Sequence, residues 1–405
     1  MIRAVRRLIS SSFLALGAIA VLLPGSASAV SDLAVDANGK IVVAGTDAGQ
    51  FATARLDLNG TLDRSFGGDG VIRTHGGLAA AVQPDGRVVV VGQRGRGIPG
   101  TDILVVRYLR NGGLDPSFGT RRHPGVVGLD GGEQETGEDV LVKRDGQILV
   151  AAIWYCPGWH RGCYYTQSDL NLLRLDRHGR FQHFGDLEAW QVLGLSAAPG
   201  GKVLAIATSN EGDWEVAERF NRRTDADQRF GYEGVALLSA DRSFGPHDVT
   251  AQADGSAVIA MGLGLARLTP RGAGDPSFGT NGLAICPSLD GGTLDRGFGS
   301  LSAVAVRPDQ RLVAVGARCG LVRFLPEGQV DPSFGFGGSV PVPDLRQRDA
   351  QLALQPDGKI VVASWDPGVG SFVVERFLSD GAVDPSFGAA GTAIIPVPRR
   401  GSSPV

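Results

Sequence analysis

The sequence predicts an all-β fold, a seven-bladed β-propeller of four-stranded antiparallel blades, and three observations predict it. A short motif recurs, as "LDRSFG" at 62–67, "LDPSFG" at 114–119 and "DPSFG" at 275–279, 331–335 and 384–388. Weaker copies are "DQRFG" at 227–231 and "QHFG" at 182–185. An arginine keeps step with it, 11 residues before the motif Phe in six units and 10 before it in the third. Finally, a turn-like segment leads into an apolar run in every unit, as in "QPDGRVVVVG" and "QPDGKIVVAS".

The motif phenylalanines are Phe66, Phe118, Phe184, Phe230, Phe278, Phe334 and Phe387, spaced 52, 66, 46, 48, 56 and 53 apart. The arginines are Arg55, Arg107, Arg174, Arg219, Arg267, Arg323 and Arg376. A period of this size signals a repeat architecture. In the second unit four strands fall near 78–83, 87–92, 103–109 and 125–128. Pro-Asp-Gly between the first two is hairpin chemistry, because Pro presets φ and Gly takes the positive-φ position. The second strand is apolar on both faces, as a strand between stacked sheets must be. The first is rich in Ala, which suits the crowded inner end of a blade. Four antiparallel strands repeated seven times make a propeller. The motif Asp is expected to cap a turn by accepting nearby backbone N–H groups, the Phe to plug between blades, and the Arg to pair with the Asp.

Residues 1–29 read as a secretory signal: Arg3, Arg6 and Arg7, an 11-residue apolar run from Phe13 to Leu23, then "ASA" before the expected cleavage. The run is shorter than the ~20 residues a membrane span needs, and nothing later is long enough. The expected mature protein is therefore secreted, extracellular or in the cell envelope, without membrane insertion. Residues 30–395 form one propeller domain and 396–405 a disordered tail. Loss of the leader's arginines takes the net charge from −3 to about −6, which argues against nucleic acid, since phosphate binding needs a basic face. The chain is expected to be a monomer with almost no helix.

The order "PDGKIVV", then Arg, then "G-x-x-D-P-S-F-G-x-x-G" resembles the bacterial delta-60 repeat family. The resemblance spans essentially residues 30–395 and is specific in units 1, 2, 6 and 7. Unit 3 has "FQHFG" in place of the Asp motif, unit 4 has Thr224 for the usual Gly, and unit 5 lacks the charge opening the second strand. The resemblance implies an exported propeller-like protein and brings no catalytic residues.

Alternating strand direction puts second-to-third-strand loops and blade-to-blade connections on one face, where propellers bind ligands. The insertions expected there are 127–138, 153–169 and 286–301. "IWYCPGWHRGCYYTQSD" (153–169) holds Trp154, Tyr155, Trp159, Tyr164 and Tyr165, half of all Trp and Tyr in the chain, beside His160. Exposed aromatics with polar tips suit sugar rings or peptide side chains, and the bland reading is a mini-core holding the loop together. Asp130, Glu133, Glu135, Glu138 and Asp139 make the preceding stretch oxygen-rich; such loops can hold Ca²⁺, but EF-hand spacing is missing, and a solvated acidic loop is the simpler reading. No cofactor is otherwise implied.

Four cysteines in an exported chain read as two disulfides, with Cys156–Cys163 closing one loop and Cys286–Cys319 joining adjacent blades on the same face. No nucleophile elbow, zincin, P-loop or dinucleotide motif occurs, so no catalytic residue is assigned. Asp102, Asp139, Asp169 and Asp248 sit near strand ends on the loop face. The expected function is non-enzymatic binding of a glycan, peptide or protein through the loops of blades 2, 3 and 6. The alternatives are a hydrolase or lyase with carboxylates at the channel mouth, acting on a sugar or lactone in a polar channel, and a passive envelope or matrix protein.

Overall fold

A computed structural model describes residues 29–47, 50–74, 77–94, 102–129, 134–156, 167–187, 189–209, 214–239, 245–262, 264–287, 289, 301–342 and 350–396. They form seven four-stranded antiparallel sheets, each built from consecutive strands of the chain. The only helical piece among the described residues is the three-residue 3-10 turn Pro199–Gly201. In blade 2 the strands are Ala79–Val82, Val88–Arg94, Asp102–Tyr108 and Val126–Leu129, within two residues of the expected bounds.

The innermost strands are Ala29–Val35, Ala79–Val82, Gln134–Val142, Ala189–Ala198, Pro246–Ala251, Leu301–Val306 and Gln351–Leu354. The third begins inside the stretch expected as a loop, so the connection into blade 3 is only 130–133. Residues 134–139 belong to the strand because they pair with Ala151–Tyr155.

The second strand of each blade explains the core. In blade 1 Ile41 and Val43 pack with blade 7, whereas Val42 and Ala44 pack with blade 2. Alternate side chains leave a strand on opposite faces, so a strand between two sheets must be apolar throughout. Each of the seven apolar clusters joins one neighbouring pair of blades, and together they run around the ring.

The repeated motif lies at the outer edge of six of the seven interfaces. In six blades Arg Nε donates to the motif Asp at 2.7–2.8 Å. The guanidinium carbon stands 4.5–4.7 Å from the centre of the motif Phe ring, a cation–π contact. The motif Gly N–H then donates to a turn carbonyl of the next blade, for example Gly119 to His178 at 2.9 Å. Ring closure uses the same bond: Gly388 of blade 7 donates to Asn59 of blade 1 at 2.7 Å. Among the described residues no strand is exchanged between the first and last blades. The ends meet through this bond, one from Arg376 Nη1 to the Leu58 carbonyl, one from Gln355 to the Gly39 carbonyl, and the apolar cluster beneath them.

The turn glycine that faces each motif is required twice over. Gly60 has φ +81°, and a Cβ there would come within 2.7 Å of the Gly388 nitrogen. Thr224 takes the corresponding place in blade 4 at φ 70°. It fits because the blade facing it, blade 3, lacks the motif turn that would press against it.

Candidate functional site

The innermost strands enclose a central channel of about 390 Å³. In five blades a β-bulge precedes the channel position, at Ser31, Glu138, Leu193, His247 and Ser302. A bulge adds one unpaired residue and re-aims the side chains around it. The next residue is Asp32, Asp139 or Asp248 in blades 1, 3 and 5, but Gly194 and Ala303 in blades 4 and 6. Counting back four residues from the residue that opens the hairpin turn, Gln83 in blade 2 and Gln355 in blade 7, puts Ala79 and Gln351 at this place. Carboxylates therefore alternate with small residues until the odd seventh blade, where a neutral amide stands.

Each aspartate staples two blades. Asp32 accepts from its neighbour Leu33 at 2.7 Å and from Ala80 of blade 2 at 2.8 Å. Asp139 accepts from Val140 at 2.6 Å and from Leu195 of blade 4 at 2.7 Å. Asp248 accepts from Val249 at 2.7 Å and from Val304 of blade 6 at 2.8 Å. Blades are thus joined in the pairs 1–2, 3–4 and 5–6. A carboxylate in every blade would set like charges side by side around a narrow ring, which is costly.

The three side chains are half-exposed to the channel, yet protein surrounds them on all sides. Burial pushes Asp32 to about 7, with the Asp139 and Asp248 charges adding to it against the two amide bonds. Burial likewise takes Asp248 to about 7 and Asp139 to about 6. Glu138, on its bulge, reaches about 7 through burial and the Asp139 charge. Among the described residues no group of three His, Cys, Asp or Glu could hold a metal ion.

These shifts make stability depend on pH. The channel carboxylates bind protons more tightly folded than at their ordinary value of 3.8, or 4.5 for Glu138. Their contribution is complete below that value and is lost as pH rises through 6–7. The motif aspartates run the other way. At Asp115 burial opposes ionisation, but the Ser117 hydroxyl and amide and the Arg107 and Arg87 charges outweigh it and hold the carboxyl below the usual range. Their contribution is present above 3.8 and lost as pH falls below it. The melting temperature is expected to peak near pH 4 and to fall as pH rises to about 7. Calorimetry across that range, with Asp32→Asn and Asp248→Asn flattening the alkaline side, checks this; an unchanged alkaline slope in both variants would overturn it.

The expected site residues are not brought together as one set. Trp154 and Tyr155 end the strand Ile148–Cys156, opposite Asp169 and Ser168 of Gln167–Leu175; their side chains lie outside what the structure describes. Trp159, His160, Tyr164, Tyr165, Asp130 and Glu133 also lie outside the described residues, as does the Cys156–Cys163 pairing. Glu135 is fully buried, whereas Glu138 and Asp139 line the channel, so these acids do not form one solvated loop. The channel is polar, lined by Asp32, Glu138, Asp139 and Asp248 among the small residues of its strands. Asp32 escaped notice in the sequence, although it, Asp139 and Asp248 all stand four residues before the first residue of a hairpin turn.

The Cys286–Cys319 disulfide is present, with its Cα atoms 5.9 Å apart. It ties the chain leaving the outer strand Leu283–Ile285 of blade 5 to the turn between Leu312–Gly316 and Gly320–Phe324 of blade 6. No described helix is long and apolar enough to cross a membrane.

Residues 37–66, 83–118 and 355–387 match a family described as a domain of unknown function (DUF5122) beta-propeller. The chain is a β-propeller repeat protein. Each matched segment runs from the first hairpin of a blade to its motif Phe, in blades 1, 2 and 7. No curated protein matches the chain in sequence. The structure is similar to the Dos1 propeller, with a TM-score of 0.51 at 10% identity, covering 89% of this chain and 79% of that one. This likeness shows the fold alone. Looser similarity is found to a protein from Lactobacillus plantarum (TM-score 0.46, 10% identity, 85% of this chain and 95% of that one). A gluconolactonase from Xanthomonas campestris is a further case (TM-score 0.40, 17% identity, 73% and 86%).

Proposed function

We propose that the protein is an exported, non-enzymatic binding module of the delta-60 repeat type, which takes a glycan, peptide or protein on its loop-bearing face through blades 3 and 6. One observation carries this reading: the repeated residues are consumed in holding blades together. In six blades the Arg, Asp, Phe and Gly of the motif have partners inside the interfaces, which leaves the non-repeated connections of the opposite face for recognition. The longest are 286–300 before blade 6, 341–350 after it, and 157–166 within blade 3 between the strands that end and begin at Cys156 and Gln167. The aromatic residues of 153–169 supply large contact area at low entropic cost. Export rests on the leader-like residues 1–29 and on the disulfide, which persists in oxidising compartments.

The hydrolase reading has less support. Asp32, Asp139 and Asp248 are each committed to two backbone amides, which leaves Glu138 as the one described channel acid that takes no hydrogen bond.

The test is a binding screen of the protein against arrayed glycans and cell-wall fragments, beside a Trp154→Ala/Trp159→Ala variant matched to it by circular dichroism. The expected result is a ligand held by the wild type and at least tenfold more weakly by the variant, about 1.4 kcal/mol or more. Equal binding by both, or none, overturns the aromatic site. Hydrolysis of a lactone or glycan by the wild type, lost in Glu138→Gln, would establish the enzyme reading instead.

A further inference from the structure

Blade 3 departs from the other six on the motif face as well as on the loop face. In blades 1, 2, 4, 6 and 7 two cations share one carboxylate. Blade 1 pairs both Arg55 and Lys40 with Asp63, each at 2.7 Å. Blade 2 pairs Arg107 at 2.8 Å and Arg87 at 2.9 Å with Asp115, and blade 4 pairs Arg219 at 2.8 Å and Lys202 at 2.7 Å with Asp227. Blade 5 has Ser256 in place of the second cation and keeps the Arg267–Asp275 pair at 2.8 Å.

Blade 3 retains the arginine, has Gln147 in place of the second cation, and lacks the acid. Its turn bond from Asp176 N–H to the Arg180 carbonyl matches that from Asp57 to Thr61 in blade 1, which puts Gln182 at the place of Asp63. Gln182 is exposed and turns to the Phe181 carbonyl, 3.3 Å away. The strand Phe181–Leu187 then runs on directly, without the tight turn that a bond from the motif Phe N–H to the Asp carbonyl closes in the other blades. Arg174 still reaches the next blade, its Nη1 donating to the Arg223 carbonyl at 2.9 Å. Its Nε, which binds Asp in the other blades, is buried and has no hydrogen-bond partner. Gln147, at the place of Lys40, has its Oε1 buried and unpartnered too.

A second cation adjoins. Lys143 is only 9% exposed and donates to the Arg222 carbonyl at 3.2 Å. Burial pulls its ammonium below the usual lysine range; Asp145 opposes this, and the Arg174 and Arg222 charges add to it. The other acids nearby are engaged in their own turns. Asp176 caps His178 and Arg180 N–H at 2.8 and 2.9 Å, Asp145 takes the Gln147 N–H at 3.1 Å, and Asp225 faces His183 at 3.7 Å. Among the described residues neither Arg174 nor Lys143 has a carboxylate within ion-pair distance. Like charges side by side at a half-buried place repel unless an anion joins them.

We propose that blade 3 binds a carboxylate from outside the blade, held between Arg174, Lys143 and Gln147 where the other six blades use their own aspartate. The guanidinium presents its Nε–H to one oxygen. The Gln147 amide donates once turned about its last bond, an O/N orientation that hydrogen bonding decides. The carboxylate is either a free monocarboxylate or an acidic side chain of a bound peptide.

The test is calorimetric titration of the protein with sodium acetate and, separately, with capped Gly-Asp-Gly peptide, at ionic strength held constant with chloride. Capped Gly-Asn-Gly is the control. The expected result is saturable binding of a carboxylate probe, at least tenfold weaker in Arg174→Gln. Gln182→Asp, which supplies a carboxylate within the blade, is expected to abolish binding while raising the melting temperature; it keeps every cation, so its loss of binding does not reflect unfolding. Peptide binding tenfold tighter than acetate would assign the source to an acidic side chain, and equal binding to a free carboxylate. No response beyond the chloride and Asn controls, or wild-type binding by both variants, overturns the proposal.

Discussion

Replacing Asp115 by Ala is expected to destabilise the protein by about 3–5 kcal/mol, the usual penalty for breaking a buried ion pair from one side. Asp115 is 1% exposed. It accepts from Arg107 at 2.8 Å and from the Ser117 amide and hydroxyl at 2.9 and 2.7 Å, and it pairs with Arg87 at 2.9 Å. Without it the Arg107 guanidinium stays buried over the Phe118 ring with no counter-charge. The Arg107 bond to the Arg177 carbonyl, which crosses to blade 3, loses its anchor as well. Replacing both partners with apolar residues, as in Arg107→Met/Asp115→Leu, is expected to recover most of the loss, because no uncompensated charge remains. Gln182→Ala in blade 3 is expected to change stability by less than about 0.5 kcal/mol, as at an ordinary surface position. Urea unfolding of the three variants checks the series. Equal destabilisation by Asp115→Ala and Gln182→Ala would show that the motif pair is not what holds the blades.

Removing the Cys286–Cys319 bridge is the second large effect. The bridge closes a separation of 33 residues, for which chain entropy alone gives about 3–4 kcal/mol. Both cysteines are buried, and they belong to the apolar cluster between blades 5 and 6. Cys286→Ser/Cys319→Ser therefore also sets two hydroxyls in an apolar seam, and Cys→Ala separates the two causes. The expected result is a lower first unfolding midpoint in urea for both variants, with the serine form the less stable. Reduction of the wild type should reproduce the alanine variant. A midpoint unchanged by reduction would mean that the blade 5–6 interface holds without the bridge.

The parts of this protein that were legible in the sequence are those in which one residue type answers a local demand and repeats. Apolar second strands, Gly at a positive-φ turn and the Asp-x-x-Phe-Gly motif recur because each blade meets two neighbours in the same way. The Cys286–Cys319 pairing followed from strand alternation, which puts both residues on one face of adjacent blades. The blade 3 connection was misjudged at 127–138 because "GEQETGED" is polar, and polarity reads as loop. In the ring these residues form an innermost strand, whose side chains face the central channel as well as protein.

By itself, then, the sequence determined the number of blades, the order of strands and the residues that cement them. Only the tertiary structure decided what the acids do. Asp32, Asp139 and Asp248 lie about a hundred residues apart in sequence, one to a blade, and their shared place four residues before a hairpin turn does not by itself show that they face one channel. Closure of the ring turns three isolated carboxylates into one titrating set, because burial and mutual repulsion act through space. The same closure shows Arg174 to be an arginine without its acid, since the missing partner is recognisable only against six blades that have one.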